Sequence, residues 1–365
     1  MENLRIDRPW ILQGVRGGLR IGTRLDAMGP SAHWAFIVGA PRCGTTSLTS
    51  YLSGHPQAYL SRPKEPHFFA MRDLRGHSLE ELRRIVRSDY LDRFFPEWQG
   101  SSVLAEGSVT YLYAPERLEP VLRLWPKAKF IICLRNPLQM IPSLHQRLFV
   151  NGDESVKKFE RAWALVEERR NGRHIPRSCL DARFLDYWEA GRLGRHVDRF
   201  LNVIGRDRCL ISIFDDLQAD PRTEYGRVLE FLGLPNDGKD VFERHAESRD
   251  CRIPWLQRLL QRPPKFAMAL VDPDDLHNPR FAESVGPVLR KVLDLRTRVL
   301  DWNEVPADRP KVDPAVLDEM RAMYADDVSL LSNLVRRDLS HWLQPQQATL
   351  ADASLQGGKD LAFQG

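Results

Sequence analysis

The amino-acid sequence predicts an α/β fold: a doubly wound parallel sheet flanked by helices, followed by a helical C-terminal decoration. Three observations carry that reading. Runs such as Lys129 to Leu134 (KFIICL) and Arg208 to Phe214 (RCLISIF) are apolar almost throughout, as strands covered on both faces are; a strand with one wet face alternates. Most such runs are followed by a stretch of helical periodicity, the order that builds parallel strands joined by crossover helices. The first run also enters its helix through a turn that carries two glycines, Gly39 and Gly44.

Taken in order, Trp34 to Ala40 (WAFIVGA) is the first expected strand and Thr45 to Ser53 the first helix. Val103 to Glu106 is a shorter strand, with a helix from Pro115 to Trp125. After Lys129 to Leu134, Asn136 is a natural N-cap and Pro137 suits the first position of a helix running to Val150. Pro142 removes an amide from that helix and predicts a kink. Helices are expected at Ser155 to Arg169 and Asp181 to Val203, then the strand Arg208 to Phe214. The helix Pro221 to Leu232 opens on Asp220 and stops at Gly233. Prolines and charges dominate Arg249 to Asp275, which predicts a loop, and helical periodicity returns at Phe281 to Trp302 and Pro314 to Leu334. Trp125, Trp163, Trp188 and Trp302 lie in helical patterns and are expected in the core. The organisation predicted is an N-terminal arm (1–33), one domain (34–343, with its core at 34–233 and a helical part at 234–343), and a mobile tail (344–365).

Composition narrows the function. Of 365 residues, 42% are apolar, enough for a sizeable core and too many for wholesale disorder. No stretch reaches the roughly 18 to 20 consecutive apolar residues of a membrane helix. Fifty-three Lys and Arg against 49 Asp and Glu leave +4, too mild for a general nucleic-acid binder but compatible with a small anionic ligand. The five cysteines (Cys43, Cys133, Cys179, Cys209 and Cys251) are odd in number and show no metal or redox spacing, and the ten histidines show no backed metal pair. Reduced thiols, an arm without the apolar centre of a secretory signal, and Asp7 and Asp26 within that arm lead to the expectation of a cytoplasmic protein.

The segment Gly39-Ala40-Pro41-Arg42-Cys43-Gly44-Thr45-Thr46-Ser47-Leu48 joins the first strand to the first helix, where α/β proteins hold phosphates on unpaired amides. Gly39 and Gly44 let the backbone wrap an anion, and Thr45, Thr46 and Ser47 add hydroxyls. The spacing is that of a P-loop, but Thr45 stands where a nucleotide kinase has Lys, and the cation has moved forward to Arg42. Asp215-Asp216, after Phe214, is a candidate to hold magnesium, but its strand comes much further on. Phosphoryl transfer ordinarily needs that metal. A sulfuryl group carries less charge, so the loop favours sulfuryl transfer, with no metal expected.

On these residues the chain resembles the PAPS-dependent sulfotransferases, whose donor is 3′-phosphoadenosine 5′-phosphosulfate and whose product is PAP. Arg42 through Leu48 resembles the family's 5′-phosphosulfate loop, which implies contacts from Arg42, Cys43, Gly44, Thr45, Thr46 and Ser47. Many members carry Lys at the place of Arg42; an Arg forks onto two oxygens but is a poor proton donor, so Arg42 is expected to clamp charge.

Arg135, at the carboxyl end of a strand and beside a helix start, can fork onto a phosphate, and Ser143 lies two turns into that helix. The resemblance makes these the 3′-phosphate site. Between the two anion sites, Arg62-Pro63-Lys64-Glu65-Pro66-His67-Phe68-Phe69 reads as a stiff extended loop, and Glu65 and His67 are the best-placed candidates to take an acceptor's proton. It is similar to the KEPHFF stretch of the glycan members, which implies Glu65 as base, His67 as its support or an acceptor contact, and Lys64 on the phosphosulfate. Gly107 stands where glycan members often have Lys, a missing cation that Lys64 or Arg62 is expected to replace. Arg249 and Arg252 are the expected equivalents of a late basic loop. The reaction implied is transfer from PAPS to a hydroxyl, or less readily an amine, of a glycan, lipid or small molecule. The alternatives are a P-loop nucleotide kinase and a catalytically silent PAP-binding protein.

Overall fold

The computed structural model describes residues 33–98, 100, 102–243, 249–262, 286–308 and 310–344. The expected arm and tail thus lie almost wholly outside the described residues. Strands β1 (His33–Gly39), β2 (Ala58–Leu60), β3 (Val103–Glu106), β4 (Lys129–Leu134) and β5 (Cys209–Ile213) form one sheet in the order β2-β3-β1-β4-β5. Every neighbouring pair is parallel. The chain moves from β1 to one side of the sheet and then crosses to the other. The carboxyl ends of β1 and β4 therefore flank the point where strand order reverses, the place where such sheets bind ligands. The register slips between Ile37 and Gly39, just before the glycine turn.

Helices cover both faces: α1 (Thr45–Ser53), α2 (Phe68–Met71), α3 (Leu79–Ile85), α4 (Glu119–Leu124), α5 (Pro137–Val150), α6 (Phe159–Ala164), α7 (Val166–Arg170), α8 (Leu193–Ile204), α9 (Phe214–Ala219) and α10 (Pro221–Leu232). Trp34 of β1 stacks on Trp125 with ring centroids 4.1 Å apart, and Phe36 stacks on Phe130. Such offset pairs add to the area they bury. Beyond the core lie β6 (Arg249–Cys251), α11 (Pro254–Gln261), α12 (Pro287–Asn303), β7 (Glu304–Pro306) and α13 (Pro314–Val335). Met320, Tyr324, Val328, Leu331 and Trp342 join the same buried cluster as the sheet.

Several expectations need correction. The helix predicted over 181–203 is broken into a 3-10 turn, a short helix and α8. Asp186 caps Glu189, and the oxygens of Asp327 accept from the amides of Gly194 and Arg195 at 2.7 and 2.9 Å. A β-carbon on Gly191 would stand 2.4 Å from the Tyr324 hydroxyl oxygen, and one on Gly194 2.3 Å from the Asp327 carbonyl. The glycines let α13 dock, and the docking sets where α8 starts. The helix expected from Ser155 begins instead at Phe159, because Ser155 and Val156 donate their amides to Glu154 Oε1. The stretch expected as a charged loop contains β6 and α11. Trp302 is 53% exposed rather than in the core, and Arg252 lies over its ring.

Candidate active site

The glycine turn places Arg42 at φ 63, a left-handed conformation that a non-glycine residue rarely adopts and that clusters at functional sites. The residue at the N-cap of α1 is Gly44, which has no side chain to cap the helix, so the amides that open α1 are offered to an outside acceptor. Thr45 and Ser47 are buried, while Thr46 is exposed. The Cys43 thiol is fully buried and sits 3.4 Å from the Pro41 carbonyl. Burial pushes its pKa far up, so Cys43 can offer a ligand its backbone amide and not a thiolate.

Arg42 Nε donates to Ser143 Oγ at 2.9 Å, and Arg135 Nη1 donates to the Arg42 carbonyl at 3.2 Å. The two expected anion sites are therefore one connected unit, although 93 residues separate the two arginines in sequence. Arg135 is buried, its guanidinium 4.5 Å from the centre of the Phe214 ring, and Gln139 Oε1 accepts from its Nε and Nη2. The pKa of Arg42 is lowered to about 10, first by burial, then by Arg147 and Arg135. Two further guanidinium groups acting on Arg42 make a positive site that an anion would relieve.

Glu65 lies on the other side of the turn. Lys64 Nζ is 2.5 Å from its Oε1, and His67 Nε2 is 3.4 Å from its Oε2. Burial alone would raise its pKa, but the Lys64 ammonium and the hydrogen bond from His67 outweigh that and hold it at about 2. His67 is itself left-handed (φ 51). Its amide donates to Ser108 Oγ, and its Nδ1 is 2.9 Å from Thr110 Oγ1. Lys64 Nζ also reaches Thr45 Oγ1 at 3.4 Å, which links the Lys64–Glu65 pair to the glycine turn.

The structure thus brings together Arg42, Cys43, Gly44, Thr45, Lys64, Glu65, His67, Arg135 and Ser143, with Thr46 and Ser47 on the first turn of α1. It does not bring Arg249 and Arg252 to them. Arg249 pairs with Glu304 of β7, and Arg252 covers Trp302. Arg62 is two-thirds exposed and pairs with Glu97. The acids Asp215 and Asp216 are engaged by Trp342 Nε1 and Arg337, which is a structural use.

Sequence reasoning missed Gln139, Ser108, Thr110, Phe214 and Glu106. Gln139 sits four residues after Arg135, the spacing of one helical turn, and that was a usable signal. Glu106 is fully buried, with Tyr90 donating to its Oε2 at 2.6 Å. Burial raises its pKa to about 7 against the pull of Tyr111, Tyr90, His67 and Ser108.

Comparison with known proteins gives a concordant picture. A model described as the sulfotransferase family matches residues 35–238. The bifunctional heparan sulfate N-deacetylase/N-sulfotransferase 1 of Caenorhabditis elegans is 24% identical over 226 residues, covering 60% of this chain and 24% of that protein. Human heparan sulfate glucosamine 3-O-sulfotransferase 6 is 28% identical over 203 residues, covering 55% of this chain and 52% of that one. A solved sulfotransferase from Alicyclobacillus acidocaldarius superposes with a TM-score of 0.55 at 24% identity, over 85% of this chain and 98% of its own; that likeness is one of fold. The chain spans about a quarter to a half of the length of these curated relatives.

The expected cytoplasmic location is corrected by the same comparison, since the heparan sulfate relatives are enzymes of the Golgi lumen. The five cysteines are free in the structure, and free thiols do not fix a compartment. Among the described residues no helix is long and apolar enough to cross a membrane.

Proposed function

This chain belongs to the sulfotransferase family, and from that premise we propose that it transfers a sulfuryl group from PAPS to a hydroxyl or amine of a glycan-type acceptor. The observation that carries the reading is the Arg42–Ser143 hydrogen bond with Arg135 on the Arg42 carbonyl. One compact unit offers two separated oxyanion sites to the two ends of one donor, and Lys64 and Glu65 stand at one of them.

The residues fit that donor. Arg42 and the amides from Cys43 to Ser47 hold the phosphosulfate end, and Arg135 with Ser143 holds the 3′-phosphate. PAPS supplies the sulfuryl group. Glu65 takes the acceptor's proton, and His67 on its second oxygen keeps the carboxylate turned towards the acceptor. Positioning and charge stabilisation supply most of the rate. Residues 34–343 act as one unit, a reading supported by the shared core of sheet and C-terminal helix. The nucleotide-kinase alternative is not favoured, because Thr45 occupies the Lys position and Asp215 and Asp216 are committed to Trp342 and Arg337.

The test compares ligands by thermal shift. PAP should raise the melting temperature and ATP with magnesium should not, since a ligand selective for the native state stabilises it by mass action. Label from [35S]PAPS should then enter desulfated heparan-type chains. Stabilisation by ATP in preference to PAP would reject the proposal, and PAP binding without label in any glycan, lipid or small-molecule acceptor would favour the silent binder.

A further inference from the structure

We propose that Lys64 is an exchangeable counter-ion: it is handed from the Glu65 carboxylate to the sulfonate end of the donor when the donor binds, so that the base is released only in the loaded site. The proposal rests on the sulfuryl-transfer reading above and concerns how that site is regulated.

Position is the first support. Lys64 Nζ stands between the two groups it would serve, 2.5 Å from Glu65 Oε1 and 3.4 Å from Thr45 Oγ1 at the opening of α1. Its backbone is pinned, since the Lys64 carbonyl accepts from Ser61 Oγ and from the Gly107 amide. A four-carbon stem with a point charge can then swing between partners, which a forked guanidinium does less readily.

Gly107 provides the second support. A β-carbon there would lie 2.9 Å from Thr49 Oγ1 and 3.5 Å from Lys64 Cε. The β-carbon would crowd Thr49 and only touch Lys64, but anything longer would have to share the space beside the Lys64 stem, which Gly107 leaves open. Arg62, the other nearby cation, is directed outward to Glu97, so Lys64 is the residue positioned to supply this charge.

The chemistry needs such an exchange. A carboxylate locked to an ammonium has too little basicity to draw a proton from a hydroxyl, and Glu65 is held far down the acid range in this way. Once the ammonium turns to the donor, Glu65 keeps only His67 on Oε2. The acceptor's proton then passes to Glu65 as the acceptor oxygen or nitrogen bonds to sulfur. The bond from sulfur to the bridging oxygen breaks, and its electron pair leaves on PAP, where Arg42 opposes the new charge.

The experiment uses the full chain with 13C-labelled Glu carboxyls, the Glu65 resonance assigned by its loss in Glu65→Gln. PAPS is added without acceptor, PAP serves as the sulfonate-free control, and Lys64→Met is the variant. In the free wild type Glu65 should stay ionised down to about pH 4. PAPS should raise its midpoint by at least about one pH unit more in the wild type than in Lys64→Met, where only direct repulsion by the ligand remains. Calorimetry should show Lys64→Met losing roughly tenfold or more in PAPS affinity, with PAP affinity within about threefold, as expected for one charge-assisted contact. Equal shifts in the two proteins, or unchanged PAPS affinity in Lys64→Met, would overturn the handover while leaving the transfer reading intact. A wild type that binds no PAPS would overturn both.

Discussion

Arg42 Nε and Ser143 Oγ meet at 2.9 Å although they belong to different connections of the sheet, the turn after β1 and the helix after β4. Their bond exists because β1 and β4 are neighbours whose carboxyl ends open on the same side. The contact ties the group that would clamp the sulfate end to the group that would sense the 3′-phosphate. Ser143→Ala should weaken PAP binding by roughly tenfold, the worth of one or two hydrogen bonds. Arg135→Ala should cost about a further tenfold, since a charged partner of a phosphate is removed. Isothermal titration with PAP measures both, and unchanged affinity in Arg135→Ala would remove it from the nucleotide site.

Glu65→Gln should lower transfer by roughly a hundredfold or more, the usual worth of a placed general base, with PAP affinity nearly kept. The pH profile gives an independent check. The pKa of Glu65 lies at about 2, below the 4.5 of a free Glu, so the carboxylate stays ionised in the free enzyme at every ordinary pH. Its pairing contributes stability that is present above about pH 4.5 and is lost only as pH falls towards 2. An acid limb of kcat/KM between about pH 5 and 7 that vanished in Glu65→Gln would contradict this placement.

Glu106 works in the opposite sense. Its pKa is raised to about 7, so between 4.5 and 7 the folded chain holds a proton that the unfolded chain has released. Stability should therefore fall as pH rises through that window and level off above it. Glu106→Gln keeps a hydrogen-bonding amide at the buried position. It should flatten the dependence, read as a smaller drop in melting temperature from pH 5 to pH 8 than in the wild type. An equal drop would locate the proton elsewhere.

How much of this was legible follows from where each signal lies. The bounds of α1, β3, β4, α5 and α10 fall where the sequence puts them, because capping, proline and apolar runs are local. Asn136 and Asp220 cap as expected, accepting from Leu138 and Thr223. The break before α8 was not legible, since it depends on Tyr324 and Asp327 arriving from more than a hundred residues away. Within the site, Arg42, Glu65, Arg135 and Ser143 were readable as motif residues. Phe214 was not: it reads as an ordinary strand end, and only the pairing of β4 with β5 sets it under Arg135.

Gly44 joins these threads. It is left-handed at φ 88, and a β-carbon there would lie 2.8 Å from Leu217 Cδ2 and 2.9 Å from Phe214 Cδ2. Phe214 is the ring on which the Arg135 guanidinium rests. Gly44→Ala therefore carries two costs: a backbone penalty of about 1 kcal/mol or more for a left-handed alanine, and a push on Phe214 that must displace either the ring or the turn. The first lowers stability alone. The second moves Arg135 and should weaken PAP binding by about tenfold or more, beyond what instability explains. Phe214→Leu separates the two, because it removes the platform and leaves the turn relaxed. If the geometry is right, Phe214→Leu loses PAP affinity with near-normal α1, and Gly44→Ala in that background costs less than in the wild type. Additive losses in the double variant would show that Gly44 and Phe214 act independently.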